Sequence, residues 1–133
     1  SYVHSNGKVA AMVALACETD FVARTEDFKT LARDLAMHVT ATAPQYLNPE
    51  SVPSGIIEKE KEFYREELKN SGKPEAMWEK IMEGKLQKFY SGECLLNQSF
   101  IKDDSKTIEE VIKEAIAKLG EKIEVKEFKR MSL

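Results

Sequence analysis

Residues 2–17 read YVHSNGKVAAMVALAC and contain the features that decide the fold. Asn6-Gly7 lies between two segments with apolar residues, and this dipeptide supplies the positive φ angles that tight hairpin turns require. Every position from Val9 to Cys17 is apolar, which is typical of a strand covered on both faces. The stretch therefore predicts an antiparallel hairpin whose second strand lies centrally in a sheet.

A helix is predicted directly after the hairpin. Apolar residues recur at helical spacing from Glu26 to Thr42, and Thr25 can cap the first turn. Pro44 ends this helix, and Tyr46-Leu47 is predicted to be a short edge strand.

The middle of the chain predicts a helical hairpin. Apolar residues between Ile56 and Leu68 define a face of its first helix, and Asn70-Ser71-Gly72 breaks the pattern. Pro74 is well placed in the first turn of a second helix that extends to about Phe89.

The last third of the chain completes an α+β fold with an antiparallel sheet of three or four strands packed with helices. The element order is ββα(β)ααβαβ. The predicted features are a strand over Cys94–Ile101, a turn at Asp103–Ser105, a capping box of Thr107 with Glu110, a helix to Leu119, a left-handed Gly120 and a strand over Ile123–Phe128.

Composition indicates one soluble domain over residues 1–133. The chain is 42% hydrophobic and 32% charged with a net charge of −3, which is typical of a globular protein and not of a disordered one. The longest apolar run has 9 residues, against roughly 18 for a membrane-spanning helix. Because the chain starts without Met, we expect it to be a piece of a longer protein.

Few residues offer the chemistry of an enzyme. Neither phosphate-binding glycine motif is present, and the two cysteines and two histidines have no metal-binding spacing. Cys17 and Cys94 are expected to be core thiols in a reducing, cytoplasmic compartment. Two weaker alternatives remain: a small thiol enzyme using Cys17 with His38, and an RNA-binding module of the translation apparatus, although the helix of Glu58–Lys69 is acidic overall.

The segment from Thr19 to Val22 is the strongest candidate for an interaction site. Phe21 follows Asp20 in a predicted loop between a central strand and a helix, so something must cover its ring. Either Thr19 or Asp20 caps a local turn while Phe21 packs on the core, or Phe21 faces a partner protein.

Several motifs together resemble the elongation factor Ts family, the guanine-nucleotide exchange factors of translation. The longest runs from Gly7 to Phe28 and reads GKVAAMVALACETDFVARTEDF. Further matches are DLAMHV from Asp34, SGKP from Ser71, QSFI from Gln98 and LGEKI from Leu119, so the resemblance covers essentially the whole chain. The length resembles the short form of the family's core, the dimerisation domain, without the N-terminal helical module.

The resemblance implies a protein without a substrate, catalytic residue, cofactor or metal of its own. It implies binding to the GDP-bound GTPase elongation factor Tu, faster GDP release, no binding of nucleic acid or membrane, and a homodimer, with sheet edges near Cys94 to Phe100 and the final strand as its expected interface. The partner-binding residues carried over from the family are Thr19, Asp20, Phe21, Val22, His4, Leu119 and Gly120.

Overall fold

The chain forms five α-helices and five β-strands in the computed structural model, which describes residues 1–133. The strands are β1 (Tyr2–Val3), β2 (Val9–Ala16), β3 (Ser99–Phe100), β4 (Asp103–Thr107) and β5 (Glu124–Ser132). The helices are α1 (Asp20–Ala23), α2 (Glu26–Thr42), α3 (Ser54–Lys69), α4 (Trp78–Glu93) and α5 (Ile108–Leu119). The predicted α+β class is confirmed.

Strand β2 is the centre of a three-stranded antiparallel sheet in the order β1-β2-β5, as the apolar opening stretch predicts. A hairpin turn joins it to its first partner, as predicted, with the Gly7 N–H donating to the His4 carbonyl at 2.8 Å. Of the Asn6-Gly7 pair only Gly7 has a positive φ, at +68°. Its second partner comes from the far end of the chain, with Ala10 opposite Met131 and Ala16 opposite Glu124. A second, two-stranded sheet pairs β3 with β4.

The core lies between the inner face of the three-stranded sheet and helices α2 and α5. Leu35 and Val39 of α2 and Ile108 of α5 are fully buried in one cluster with Ala11 of β2 and Val125 of β5. Burying a side chain of this size stabilises the fold by about 1.5–3 kcal/mol. The sheet therefore has one covered face and one open face. Met12 of β2 is 68% exposed on the open face, so the expectation that this strand is covered on both faces is wrong.

The helix ends follow the predicted capping chemistry. The Thr25 hydroxyl accepts the Phe28 N–H at 3.3 Å where α2 begins, and α2 ends at Ala43 with φ +49° before Pro44. At the start of α5, Thr107 and Glu110 form the predicted capping box, with bonds of 2.8 and 3.2 Å. The two N–H groups that this box satisfies fix where α5 begins.

Helices α3 and α4 form the predicted helical hairpin. Pro74 does not lie in the first turn of α4, because Glu75–Met77 form a 3₁₀ turn and α4 begins at Trp78. At the base of the hairpin, the predicted strand at Tyr46-Leu47 is only a single bridge to Cys94, where the Leu95 N–H bonds the Tyr46 carbonyl at 2.8 Å.

Two predictions in the last third of the chain are wrong. The apolar segment Cys94–Ile101 is not one strand, because Leu95–Asn97 form a 3₁₀ turn and only Ser99–Phe100 is extended. Asp103–Ser105 is not a turn but the start of β4, where the Asp103 carboxylate accepts the Ser105 N–H at 3.2 Å and hydroxyl at 2.6 Å. Aspartate and serine are typical of turns because they bond to nearby backbone, and here they make these hydrogen bonds with each other within the extended strand.

His38 is completely buried at the centre of a polar network. One ring nitrogen, Nε2, lies 2.9 Å from the Gln98 side-chain oxygen, and the other, Nδ1, accepts the Ile101 N–H at 3.3 Å. Gln98 in turn donates to the Gly92 carbonyl at 2.8 Å and accepts from Thr42 at 2.9 Å. Because Nδ1 is an acceptor, the ring is neutral and carries its proton on Nε2. The network joins α2, the end of α4 and the β3 region.

We expect His38 to make stability depend on pH. Burial lowers the pKa of His38, with the Gln98 bond opposing the shift. The unfolded chain binds a proton at this histidine below about pH 6.5, whereas the folded chain binds it only at lower pH. The free energy of unfolding should therefore fall as the pH is lowered from about 6.5 towards 5. Urea unfolding across this range measures it.

The control is His38→Gln, which removes the titrating group but keeps an amide at the network. We expect it to be less stable than the wild type at pH 7.5, by about 1–3 kcal/mol, because the buried groups of Gln98 and Ile101 would form poorer hydrogen bonds with the new side chain. It should also show a shallower dependence between pH 5 and 6.5. An unchanged slope would assign the pH dependence to other groups.

Candidate protein-interaction site

Two segments far apart in sequence meet at one end of the three-stranded sheet. Since Ala16 at the end of β2 lies opposite Glu124 at the start of β5, the residues after β2 and before β5 must be neighbours. Thr19 and Glu121, 102 residues apart, are joined there by side-chain and backbone hydrogen bonds. Two of the three predicted contact segments therefore lie together.

Residues Thr19–Val22, predicted as a loop, contain the first turn of the short helix α1. The Thr19 hydroxyl caps this turn by accepting the Val22 N–H at 3.3 Å. The next cap is linked to it, because the Thr25 hydroxyl donates to the Val22 carbonyl at 2.7 Å while it caps α2. Two consecutive threonine caps thus fix the direction of the chain between β2 and α2.

Adjacent residues of α1 differ sharply in their exposure to solvent. Val22 is only 5% exposed and belongs to the core cluster, whereas Phe21 is 80% exposed. The interpretation in which Phe21 packs on the core is therefore wrong. A large aromatic ring stands in solvent on a turn that is attached to the core through its neighbour, beside the exposed Asp20.

Leu119 and Gly120 end α5 next to this turn. Gly120 has the predicted left-handed conformation, with φ +75°, and donates its N–H to the Ile116 carbonyl at 2.8 Å. Leu119 is partly buried against the core. The backbone of Gly120 is exposed, and Glu121 follows it towards Thr19.

His4 lies at the other end of β2, apart from the other predicted contact residues. The strand has eight residues, so its ends are roughly 23 Å apart. His4 is exposed, its Nδ1 is 3.3 Å from the Tyr2 hydroxyl, and both side chains line a shallow pocket of about 350 Å³ with Met37 of α2.

The thiol-enzyme alternative is not supported by these positions. The Cys17 thiol donates to the Thr19 carbonyl at 3.3 Å, and both ring nitrogens of His38 are bonded elsewhere. Burial raises the pKa of the Cys94 thiol to about 11, so this group stays protonated near neutral pH. No group of three or more His, Cys, Asp or Glu side chains is placed to hold a metal ion.

The basic residues of the last strand do not form a free positive stripe. Within β5, Lys126 pairs with Glu124, Lys129 pairs with Glu127, and Arg130 donates from Nε to the Thr40 carbonyl at 3.0 Å. Lys122, which precedes the strand, also pairs with Glu124. A phosphate-binding surface would need cations available to the nucleic acid, so nothing in this strand favours RNA binding.

Comparison with known proteins decides the family. The family model for Elongation factor TS matches residues 1–133. The chain belongs to the elongation factor Ts family. It is 55% identical over 133 residues to elongation factor Ts of Fervidobacterium nodosum and of Thermosipho melanesiensis, and 50% identical to that of Syntrophus aciditrophicus.

The similarity covers the whole of this chain but only about two thirds of the length of each relative. The aligned region covers 68%, 68% and 66% of the three elongation factor Ts proteins in the order given. The family match confirms the resemblance to elongation factor Ts that the motifs indicated.

None of the helices in the structure is long and apolar enough to cross a membrane.

Sequence reasoning missed the two glutamates that join the elongation factor Ts motif at Thr19 to the turn after α5. Glu18 and Glu121 lie within the motifs quoted above, but their partners are about a hundred positions away. The only available signal was an acidic residue directly after a helix-ending glycine. That signal does not identify the segment to which the carboxylate binds.

There is space for a side chain at Gly120, but its backbone conformation disfavours residues other than glycine. A Cβ atom added there meets nothing within 4 Å, yet φ is +75°. We expect Gly120→Ala to lower the free energy of unfolding by about 1 kcal/mol, and Gly120→Asn to lower it by less. Thermal and urea unfolding of the two variants measure the difference.

The matched control is Gly84→Ala, in the middle of α4. Here too a Cβ atom meets nothing within 4 Å, but φ is not positive. This variant should be stabilised by about 0.5–1 kcal/mol, because alanine favours the helix. Equal effects of the two alanine substitutions would contradict the backbone explanation.

Proposed function

We propose that this chain is the core of a guanine-nucleotide exchange factor that binds GDP-bound elongation factor Tu and speeds GDP release. Membership of the elongation factor Ts family supports the class of function. The proposed contact is the Thr19–Val22 segment, inserted into the G domain of the partner. Such a protein does no covalent chemistry and works in the cytoplasm with the translation apparatus.

One observation carries the proposal: Phe21 is 80% exposed although its turn is held on both sides. An exposed aromatic side chain on a fixed backbone suits a binding anchor, because little conformational freedom is lost when the partner binds. The four motif residues then have different tasks. Phe21 and Asp20 face the partner, while Thr19 and Val22 hold the turn by a cap and a core contact.

The other predicted contacts extend the surface. Leu119 and Gly120 lie beside the Thr19 turn, so a single partner element could touch both segments. His4 is roughly 23 Å away along β2, a span within reach of one small domain. We propose that His4 and its shallow pocket form a second contact with the same partner molecule.

Exchange requires more than binding. A wedge speeds GDP release only if it binds the nucleotide-free partner more tightly than the GDP-bound partner. The coupling is reciprocal, so GDP must weaken the complex by the same factor.

Phe21→Ala should fold normally and exchange poorly. Little burial is lost because the ring is exposed, so the melting temperature should stay within a few degrees of the wild type. Truncating a buried interface anchor weakens binding by about 2 kcal/mol or more, or about thirtyfold. Stopped-flow release of a fluorescent GDP analogue from elongation factor Tu measures the effect.

The matched control is Phe63→Ala, because Phe63 is also exposed, at 60%, but lies on α3 of the helical hairpin. It should release GDP at the wild-type rate. Unchanged exchange by folded Phe21→Ala would contradict the wedge assignment. If the wild-type chain gives no acceleration, a pull-down with nucleotide-free elongation factor Tu decides between binding without exchange and no binding.

We also propose that two copies of the chain associate through the open face of the three-stranded sheet. Val3, Ala10 and Met131 form one row across all three strands, and Met12 lies beside it on β2. Three of these side chains are large and well exposed: Val3 at 64%, Met12 at 68% and Met131 at 73%. Because the chain resembles the short form of the family's dimerisation domain, a second copy is the proposed occupant.

This proposed interface uses the open face of the sheet, whereas the sequence-based one used sheet edges near Cys94 to Phe100 and the final strand. The segment from Cys94 to Phe100 is mostly buried in its own chain, with Cys94 and Leu95 at 0% exposure, so it has little surface to offer. Strand β5 remains available.

Light scattering should give twice the mass of one chain at micromolar concentration. Met12→Lys should shift the protein towards the monomer, because a charge would be buried in the interface. Met77→Lys changes an equally long exposed methionine near the tip of the hairpin and should have no effect. A wild-type monomer would remove the dimer proposal and leave the exchange proposal intact.

A further inference from the structure

The carboxylate of Glu121 binds the backbone directly before the exposed Phe21 turn. Its Oε1 accepts the N–H groups of Glu18 and Thr19 at 3.1 and 2.9 Å. Its Oε2 accepts the Thr19 hydroxyl proton at 2.6 Å. Hydrogen bonds to an ionised carboxylate are stronger than neutral ones, and three of them converge on two adjacent residues.

A second carboxylate makes the reciprocal contact. Glu18 uses its Oε2 to accept the Lys122 N–H at 2.9 Å. Each of the two segments therefore provides a glutamate that binds the backbone of the other. We call this set of four hydrogen bonds the glutamate clamp, formed by Glu18, Thr19, Glu121 and Lys122.

The turn that carries Phe21 needs such support. Helix α1 has only four residues, and one helical turn is not stable by itself in water. The exposed ring of Phe21 adds no packing of its own. The turn is thus held by Val22 in the core and by Thr19, whose hydroxyl both caps the turn and donates to Glu121.

We propose that Glu121 is a positioning residue for nucleotide exchange: its carboxylate fixes Thr19, and thereby the orientation of Phe21, without contacting the partner protein. This inference rests on the proposed exchange function. By holding the turn in place in the free protein, Glu121 reduces the conformational freedom that would otherwise be lost when Phe21 binds its partner. This role also explains why the turn after α5 and the Thr19 segment act as one surface.

The chemistry of the clamp separates two substitutions. Glu121→Ala leaves the N–H groups of Glu18 and Thr19 without their acceptor. Glu121→Gln keeps an oxygen for these N–H groups, but its NH₂ must donate to Thr19, whose hydroxyl then loses its acceptor. The glutamine variant should therefore retain part of the function that the alanine variant loses.

The first measurement is the order of the turn in the free protein, by NMR relaxation of the backbone. In the wild type, residues 18–23 should have order parameters near those of rigid backbone, about 0.85. In Glu121→Ala they should fall towards about 0.6, while α2 and β2 keep their values. Glu121→Gln should lie between. Unchanged order in the alanine variant would overturn the inference, whether or not the chain exchanges nucleotide.

The second measurement is GDP release from elongation factor Tu in a double-mutant cycle with Phe21→Ala. Glu121→Ala should slow the accelerated release about tenfold in the wild-type background. In the Phe21→Ala background the same change should have almost no further effect, because the clamp acts through the ring. An equal loss in both backgrounds would overturn positioning. A second result would also overturn positioning. If Glu121→Gln slows GDP release as much as Glu121→Ala while the turn of the glutamine variant stays rigid, the charge of Glu121 acts on the partner directly.

Glu109→Gln is the control for removing one negative charge at a place away from the clamp. Glu109 lies on α5, is exposed and pairs only with Lys113 at 3.8 Å. It should change neither measurement. If Glu121→Ala does not fold, Glu121→Gln carries both measurements, with partial loss of order and rate as the expected result and wild-type values in both as the contrary one. A wild-type chain that never accelerates GDP release overturns the proposed function, while the relaxation data still decide whether Glu121 orders the turn.

Discussion

Strand β2 pairs with strand β5 along its whole length, although more than a hundred residues separate them in sequence. This pairing joins the two ends of the chain, so the segment between them must leave the sheet and return to it. The helices α2 and α5 then cover that face with Leu35, Val39 and Ile108. Non-local strand pairing must overcome a large loss of chain entropy, and the buried apolar face supplies the compensation.

The same pairing creates the candidate site. In an antiparallel pair, the residue that leaves one strand lies beside the residue that enters the other. Thr19 after β2 and Glu121 before β5 are therefore close without any further requirement, and the glutamate clamp uses that proximity. A rigid sheet end supports a one-turn helix too short to be stable alone, so a strong local fold presents an exposed aromatic ring.

Local signals in the sequence were reliable where one element satisfies its own polar groups. The helix over Glu26–Thr42, the Thr107 capping box and the left-handed Gly120 all have the predicted form. They failed where distant contacts decide. Leu95 and Phe100 of the Cys94–Ile101 segment enter the main core from a turn and a short strand, and Asp103–Ser105 is extended because β4 pairs with β3. Apolar content alone does not distinguish a buried turn from a strand.

Periodicity, turn residues and motifs are local properties of the chain, and they were sufficient to predict the α+β class, the hairpin with its central strand and the family. They also identified Phe21 as a residue that needs an explanation. The exposure of its ring and the burial of Val22 depend on tertiary packing and could not be predicted from these patterns. The partners of Glu18 and Glu121 were likewise decided in three dimensions, since each lies about a hundred residues away and is brought close by the β2–β5 pairing.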